Sequence, residues 1–534
     1  TRDGCGFINA NRASLTTGQL RVEDGQWQGY DVQTGTLRIE GQGLDSRTAQ
    51  YTDLISQAVE VNAGVWAETL NVVAGQGVVS ADTQSVNAKA NPAGAPVVAI
   101  DVAELGGMYA NSIRLVGNQS GVGVRNAGQI GVAAGQVQIS ADGRIENTGL
   151  ISAGSVAART DDALHNAGDL HGVTLNLTQY SLQNDGNIKT TDLTIAGDRV
   201  TNNADIDSGS GQINSQTLNN TGAIRVQALA AENTSTINTG TIDVADLTLN
   251  TASLDNQDTL TVDRATVNAT ESLANSGVMQ GGSFTVATEN LNNSGAITGA
   301  SLNADTTLAT NTGVVNTDTL FWRTTALDNI GSGKLYGDQL ALAAATLNNT
   351  ANGTDAPVIA ARETLALGVN TLNNQDHGLI FSAGDLHIGG DIDNRGHAVG
   401  QANTLNNLSA TIQAQGDMAL AVEQIINRNE HLETEVFEVS REDRYEYRGS
   451  GSPNRYNRDE VGFRRHDKAQ YLRTPEDTYR SYYRYIYTRT IEEEQVTQSD
   501  PARILAGGGI HLISNGISNE DSQILAGGTI SGDS

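Results

Sequence analysis

Leu182-Gln183-Asn184-Asp185-Gly186-Asn187-Ile188 is followed two periods later by Leu218-Asn219-Asn220-Thr221-Gly222-Ala223-Ile224. Both follow one pattern: an aliphatic residue, one residue, Asn, one residue, Gly, one residue, an aliphatic residue. The pattern recurs at Ile145–Ile151, Leu273–Met279 and Leu291–Ile297. Its asparagine returns at Asn126, Asn147, Asn166, Asn184, Asn202, Asn220, Asn238, Asn256, Asn275, Asn293, Asn311 and Asn329, in steps of 18 to 21 residues. Looser copies follow at Asn349, Asn374, Asn394 and Asn407. A fixed period near 20 residues over this length predicts a solenoid.

Between the asparagines lie short runs such as Leu193-Thr194-Ile195 and Leu260-Thr261-Val262, with the alternation of a strand. No stretch sustains a helical period. Proline, which would interrupt a central strand, numbers 6 in 534 residues. Glycine numbers 59 and sits at the repeated turn, where a positive φ is expected. A coil of this length holds two or three short strands, and coils stacked at the strand spacing build parallel sheets along a rod. The predicted fold is therefore all-β, a right-handed parallel β-helix. Leucine-rich repeats share the period but need more leucines per repeat, and helical repeats are longer. The asparagines are expected at corners, where Asn tolerates the left-handed region, and identical amides one coil apart can bond in a ladder. Asn147 to Asn329 are the structural ladder on this reading.

The net charge is −29, from 61 acids and 32 bases, and aromatics make up 4 %. Nucleic-acid binding by the chain as a whole is excluded, since phosphate neutralisation needs clustered Lys and Arg. An apolar content of 38 % suits the thin core of a solenoid, and the negative charge keeps a monomeric rod soluble. Cys5 is the only cysteine, so no disulfide forms within this sequence. No apolar run is long enough to span a bilayer. The start at Thr1 and the end inside another coil pattern, Gly527-Gly528-Thr529-Ile530, are expected to belong to a longer protein.

Residues 1–130 lack the clean period and carry ordered motifs instead. These are Cys5-Gly6-Phe7-Ile8-Asn9, Arg12-Ala13-Ser14-Leu15-Thr16-Thr17-Gly18, Val61-Asn62-Ala63, Gly106-Gly107-Met108-Tyr109-Ala110, Ile113-Arg114-Leu115-Val116 and Gly121-Val122-Gly123-Val124-Arg125-Asn126-Ala127-Gly128. The series resembles the secretion domain of the filamentous haemagglutinin family, the exported partners of two-partner secretion systems, which include contact-dependent growth inhibition proteins. The resemblance implies a β-helix with extra strands, export across the outer membrane through a dedicated β-barrel transporter, and a place at the cell surface or in the medium. The family's Asn-Pro-Asn-Gly motif and a second cysteine precede the segment matching Cys5 in family members and are absent here. On this reading the sequence as it stands does not direct its own secretion.

Residues 131–427 read as β-helix repeats and 501–534 as their resumption. Residues 428–500 differ: nine of the 14 tyrosines lie between Tyr445 and Tyr487, and eleven Arg with one Lys lie between Arg441 and Arg489. Thr434–Val439 and Tyr483–Arg489 alternate and are expected to pair as an arm leaving the rod, with 449–454 a loop. Two readings stand side by side. Tyr and Arg are favoured interface anchors, so Tyr445, Tyr447, Tyr482, Tyr483, Arg484, Tyr485 and Tyr487 are candidates for binding a receptor on a target cell or host surface. Alternatively the aromatics cover a flank of the solenoid and the arginines pair with acids such as Glu442, Asp443 and Glu492. The segment resembles, in position and tyrosine content, the tyrosine- and proline-enriched region of growth-inhibition proteins.

β-Helix enzymes place paired carboxylates on one exposed face. Here Asp192 and Asp198 stand singly and Asp205-Ile206-Asp207 is a lone pair. The histidines show no ligand spacing, although His377 and His397, 20 residues apart, could stack on adjacent coils. No catalytic triad, phosphate loop, zinc signature, calcium repeat or cofactor motif is present. The expected role is a non-enzymatic rod acting in adhesion or in presenting a distal toxin. The alternative is a carbohydrate-active β-helix enzyme, distinguished by whether acids from adjacent coils converge in one groove.

Overall fold

A computed structural model describes residues 2–7, 9–89, 97–119 and 121–533; the side chains of 2–5 and of 533 lie outside the described part, and with them any partner of Cys5. Among the described residues there is no helix, and the strands stack, mostly parallel, into a β-solenoid.

The coil around Asn184 shows how the sequence builds it. Ser181–Asn184 forms one face, Asp185-Gly186 turns the corner, and Asn187–Ala196 runs along the other two. Leu182, Ile188, Leu193 and Ile195 point inward and are buried, while their neighbours face solvent. The threonine at the bend between the second and third faces, Thr190, donates to Val173 O at 2.9 Å and Asp192 O at 3.1 Å, satisfying carbonyls that the bend leaves without a ladder partner. The next coil repeats the register residue for residue, Leu182 on Val200 and Asn184 on Asn202. From Thr241 onward single strands of 16 to 18 residues, such as Thr241–Asn256 and Val358–Gln375, wrap all three faces.

The solenoid begins before the clean period does. Arg12–Thr16, Tyr51–Ser56, Thr69–Ala74, Ser112–Gly117 and Gln136–Ala141 stack in register. Loops and an extra antiparallel sheet of Gln19–Glu23, Gln26–Val32, Gly77–Ser80 and Val86–Ala88 interrupt these coils. That sheet lays Tyr30, Val32 and Val79 over Ile55 and Val73, the outward residues of two solenoid strands. Covered on both faces, those strands lose the alternation at Leu54-Ile55 and Val72-Val73-Ala74, which hides their period.

Two sequence expectations are corrected. The turn glycines do not adopt a positive φ; a Cβ at Gly186, Gly222 or Gly295 would instead lie 2.1–2.2 Å from the carbonyl oxygen of the coil before. Stacking distance favours glycine there, although Ala204 and Asp258 occupy the position in two coils. The ladder asparagines likewise do not use the left-handed region; each ends a strand.

Insertions leave the solenoid only at corners. The hairpin of Asp391–Ile392 with Ala398–Val399 replaces the turn between the third face and the next first face. The arm replaces the turn after Asn427: Glu433–Gly449 pairs antiparallel with Tyr482–Gln498, and Arg503–Ala506 then resumes on Thr411–Ala414.

Candidate functional site

Three features stand out: the corner ladder, the arm, and a pair of arginines in the N-terminal coils.

In the ladder each asparagine Nδ2 donates to Oδ1 of the next, at 2.6–2.9 Å, from Asn126 through Asn329 and on through Asn349, Asn374, Asn407, Asn427 and Asn519. The same nitrogen also donates to a carbonyl just past the turn of the following coil, as Asn184 does to Asp205 O at 3.2 Å. These amides are buried among aliphatic side chains, where an unpaired one would be costly. Asn394 stands outside the ladder, in the hairpin loop, although it keeps the period, and Asn407, 33 residues after Asn374, takes the rung. The corner position before Asn126 is filled by Ile39, Val61 and Val102. The ladder therefore starts where the aliphatic corner ends, and Oδ1 of Asn126, facing that corner, has no donor.

In the arm the bonded pairs put Arg448, Glu446, Arg444 and Glu442 on one face, opposite Tyr483, Tyr485, Tyr487 and Arg489. Arg448 lies 5.2 Å from the Tyr483 ring and 5.8 Å from that of Tyr485, and Arg455 lies 3.9 Å from Tyr485. Tyr487 donates to Glu446 at 2.8 Å, and that carboxylate pushes the phenol above its ordinary pKa. Cross-strand pairs of this kind hold a two-stranded ribbon that has no core beneath it. Beyond the ribbon, Tyr447, Val461 and Leu472 are buried with Tyr456, Phe463, Tyr479 and Tyr482 around them. The aromatics thus pack on the arm itself, and the expectation that they cover a solenoid flank is corrected: a two-stranded ribbon carries its own tip core. Among the candidate contact residues, Tyr447 and Tyr482 belong to that core and Tyr485 is sandwiched by arginines. Tyr445, Tyr483, Arg484 and Tyr487 face solvent.

The root of the arm is clasped. Asn429 Oδ1 accepts the amides of His431 and Asp500, from the two ends of the ribbon. His431 meets Asp376 at 3.1 Å and His377 meets Asp500 at 3.0 Å, with the two imidazoles stacked. His377 therefore stacks on His431 and not on His397, which sits in the hairpin.

In the N-terminal coils Asp53 is fully buried and accepts from Arg12 Nε at 2.5 Å, Ser14 at 2.7 Å and Asn71 at 2.9 Å. Arg12 is raised above its ordinary pKa by that bond. It also donates to Thr83 Oγ1, while Arg114 donates to Thr83 O and Gln84 O. Two arginines from the quoted motifs thus tie the loop of the extra sheet to the solenoid.

The scattered acids are engaged elsewhere: Arg225 bridges Asp205 and Asp207, and Asp192 accepts from Ser210. Among the described residues no three His, Cys, Asp or Glu are grouped to hold a metal ion. The sequence reading missed one feature, a cleft of about 670 Å³ between the solenoid and the 391–399 hairpin. Phe321, Ala341 and Ala366, which follow Thr248, Thr266, Thr285 and Asn303 in one outward row, were its signal.

Comparison with known proteins places the N-terminal region. The TPS secretion domain family matches residues 1–147. The chain is 52 % identical over 174 residues to Toxin CdiA of Yersinia pestis, covering 32 % of this chain and 5 % of that protein. It is 45 % identical over 148 residues to tRNA nuclease CdiA-2 of Burkholderia pseudomallei, covering 28 % and 5 %, and 40 % identical over 173 residues to 16S rRNA endonuclease CdiA of Enterobacter cloacae, covering 32 % and 5 %. The chain thus matches about one-twentieth of the length of these relatives. No solved structure matches. A secretion domain running without a break into a β-solenoid, with these relatives, supports a place among the two-partner secretion exoproteins that include CdiA, which are exported across the outer membrane to the cell surface.

Proposed function

We propose that this chain is the membrane-proximal stalk of a contact-dependent toxin-delivery protein. The N-terminal coils engage an outer-membrane β-barrel transporter, and the solenoid carries a distal toxin away from the cell surface. The observation that carries this reading is the ladder. It passes the hairpin and the arm without losing a rung, so the rod keeps one rigid axis while insertions leave from its corners. The names of the relatives, a toxin and two nucleases, support toxin delivery over adhesion. The exposed Tyr445, Tyr483, Arg484 and Tyr487 of the arm are the surface offered to a target-cell receptor.

The test uses the full-length protein with its transporter. Deleting residues 185–220, two whole coils from one rung to the next, should leave export and growth inhibition of target cells intact. Loss of inhibition with export unchanged would show that those coils do something other than extend. Asp53→Leu should abolish export, since it leaves the half-buried Arg12 beside an apolar group and strips Ser14 and Asn71 of their acceptor.

A further inference from the structure

The cleft beside the hairpin has a composition unlike the rest of the molecule. In a chain with 61 acids and 32 bases, no carboxylate lines it. Its rim carries Arg395, His387 and His397, and its floor is the outward face of the solenoid.

Its construction follows from the coil register. One outward row runs Asn303, Phe321, Ala341, Ala366, His387. Next to it runs Arg323, Ala343, Gly368. Small residues at Ala341, Ala343 and Ala366 seat Ile392 of the hairpin, and a Cβ at Gly368 would lie 2.2 Å from the Asp391 backbone. Arg323 fixes the hairpin from below, pairing with Asp391 at 3.1 Å and donating to Ile392 O at 3.0 Å. The hairpin thus sits down at one end and leaves its tip, residues 394–397, standing opposite Phe321 and Asn303.

The acids nearest the cleft are engaged by their neighbours, and Asp393 Oδ2 lies 3.7 Å from Nδ1 of His397 on the rim. Asp393 Oδ1 accepts the amides of Arg395 and His397, both at 2.9 Å, inside the hairpin. Glu363 is held by Gln339 at 2.9 Å. The Arg395 guanidinium has no ion pair or side-chain hydrogen bond among the described residues, although Asp393 lies close by. Phe321, one of 6 phenylalanines in the chain, lines the cleft, with the Arg323 guanidinium 5.7 Å from its ring centroid.

We propose that this cleft binds a short acidic saccharide. An aromatic ring offers an apolar plate to the C–H face of a sugar. Asn303, Asn394 and Thr319 offer hydrogen bonds to hydroxyls. The Arg395 guanidinium offers a fork to a carboxylate or phosphate carried on the sugar. The volume lies within the range of small-molecule sites. With no carboxylate in the lining, glycosidic hydrolysis by an acid–base pair has no means there, so the site binds and does not cleave.

Calorimetric titration of the chain tests this with trigalacturonate, glucose 6-phosphate, inorganic phosphate and maltotriose. Trigalacturonate is expected to bind, maltotriose not, and Arg395→Gln at the exposed hairpin tip and Phe321→Ala should each weaken binding about tenfold. Binding of glucose 6-phosphate in place of trigalacturonate assigns the anion as a phosphate and keeps the saccharide. Equal binding of inorganic phosphate, equal binding of maltotriose, no binding of any probe, or binding indifferent to both substitutions would each overturn the proposal.

Discussion

The rod and the arm are both built of strands, yet different interactions hold them. In the rod from Asn126 to Asn427 each coil buries aliphatic side chains and a neutral amide between its neighbours. In the arm two strands face water on both sides and are held by charged and aromatic pairs across the ribbon, with a small core only at the tip. The rod is therefore stabilised by burial and by hydrogen bonds that water cannot reach, and the arm by interactions that solvent and charge can modulate.

The largest effect should come from breaking the ladder. Asn256→Leu leaves Nδ2 of Asn238 without its acceptor and Oδ1 of Asn275 without its donor. A local loss of about 2–5 kcal/mol is expected, read as faster hydrogen exchange in Thr241–Asn256 and Thr259–Asn275 with the arm unchanged. Unaltered exchange there would mean that the ladder decorates the corner and does not hold it.

Leu472→Ala makes the converse cut. It empties the tip core and should cost about 2–4 kcal/mol, seen as proteolysis within 450–481 while the thermal transition of the rod stays in place. A matching shift of the rod transition would show that the two regions fold as one.

Glycine separates the regions at a smaller scale. Gly222→Ala brings a Cβ within 2.2 Å of Ala204 O and should cost about 1–3 kcal/mol, because the neighbouring coil must shift. Gly451→Ala in the arm loop meets nothing within 4 Å but sits at φ 89°, so its cost of about 1–2 kcal/mol is conformational. An Asn at 451 should recover most of that loss, since Asn tolerates the left-handed region. Thermal melts of the three variants decide it.

The smallest effect is alkaline. The phenol of Tyr487 is raised by Glu446, so its contribution to the arm is complete below the ordinary tyrosine range near pH 10 and is lost as pH climbs through the raised value. Tyrosine absorbance with limited proteolysis should show the arm loosening there ahead of the rod, whose ladder does not titrate. Tyr487→Phe should remove that component, and an arm equally labile without it would assign the effect to other groups.

Much of this was legible in the chain itself. The 18-residue return of asparagine determined a solenoid, because a side chain that bonds its own copy one coil on must recur at the coil length. The alternation on either side of residues 449–481 determined a paired arm, because strand period needs no tertiary context. Other features were decided only by the fold. Val61 and Val102 occupy the asparagine corner in coils whose length varies with their loops, so no spacing marks them. The turn glycines answer to the carbonyl of a neighbouring coil, and that contact does not exist until coils stack. Asn394 carries the fuller local signal, with Gly396 where Asn407 has Ser409, yet the detour of the 391–399 hairpin gives the contact with Asn374 to Asn407. The cleft joins Phe321 to Arg395 across four coils and a reversed hairpin, a separation that the chain closes by folding and that local pattern cannot express.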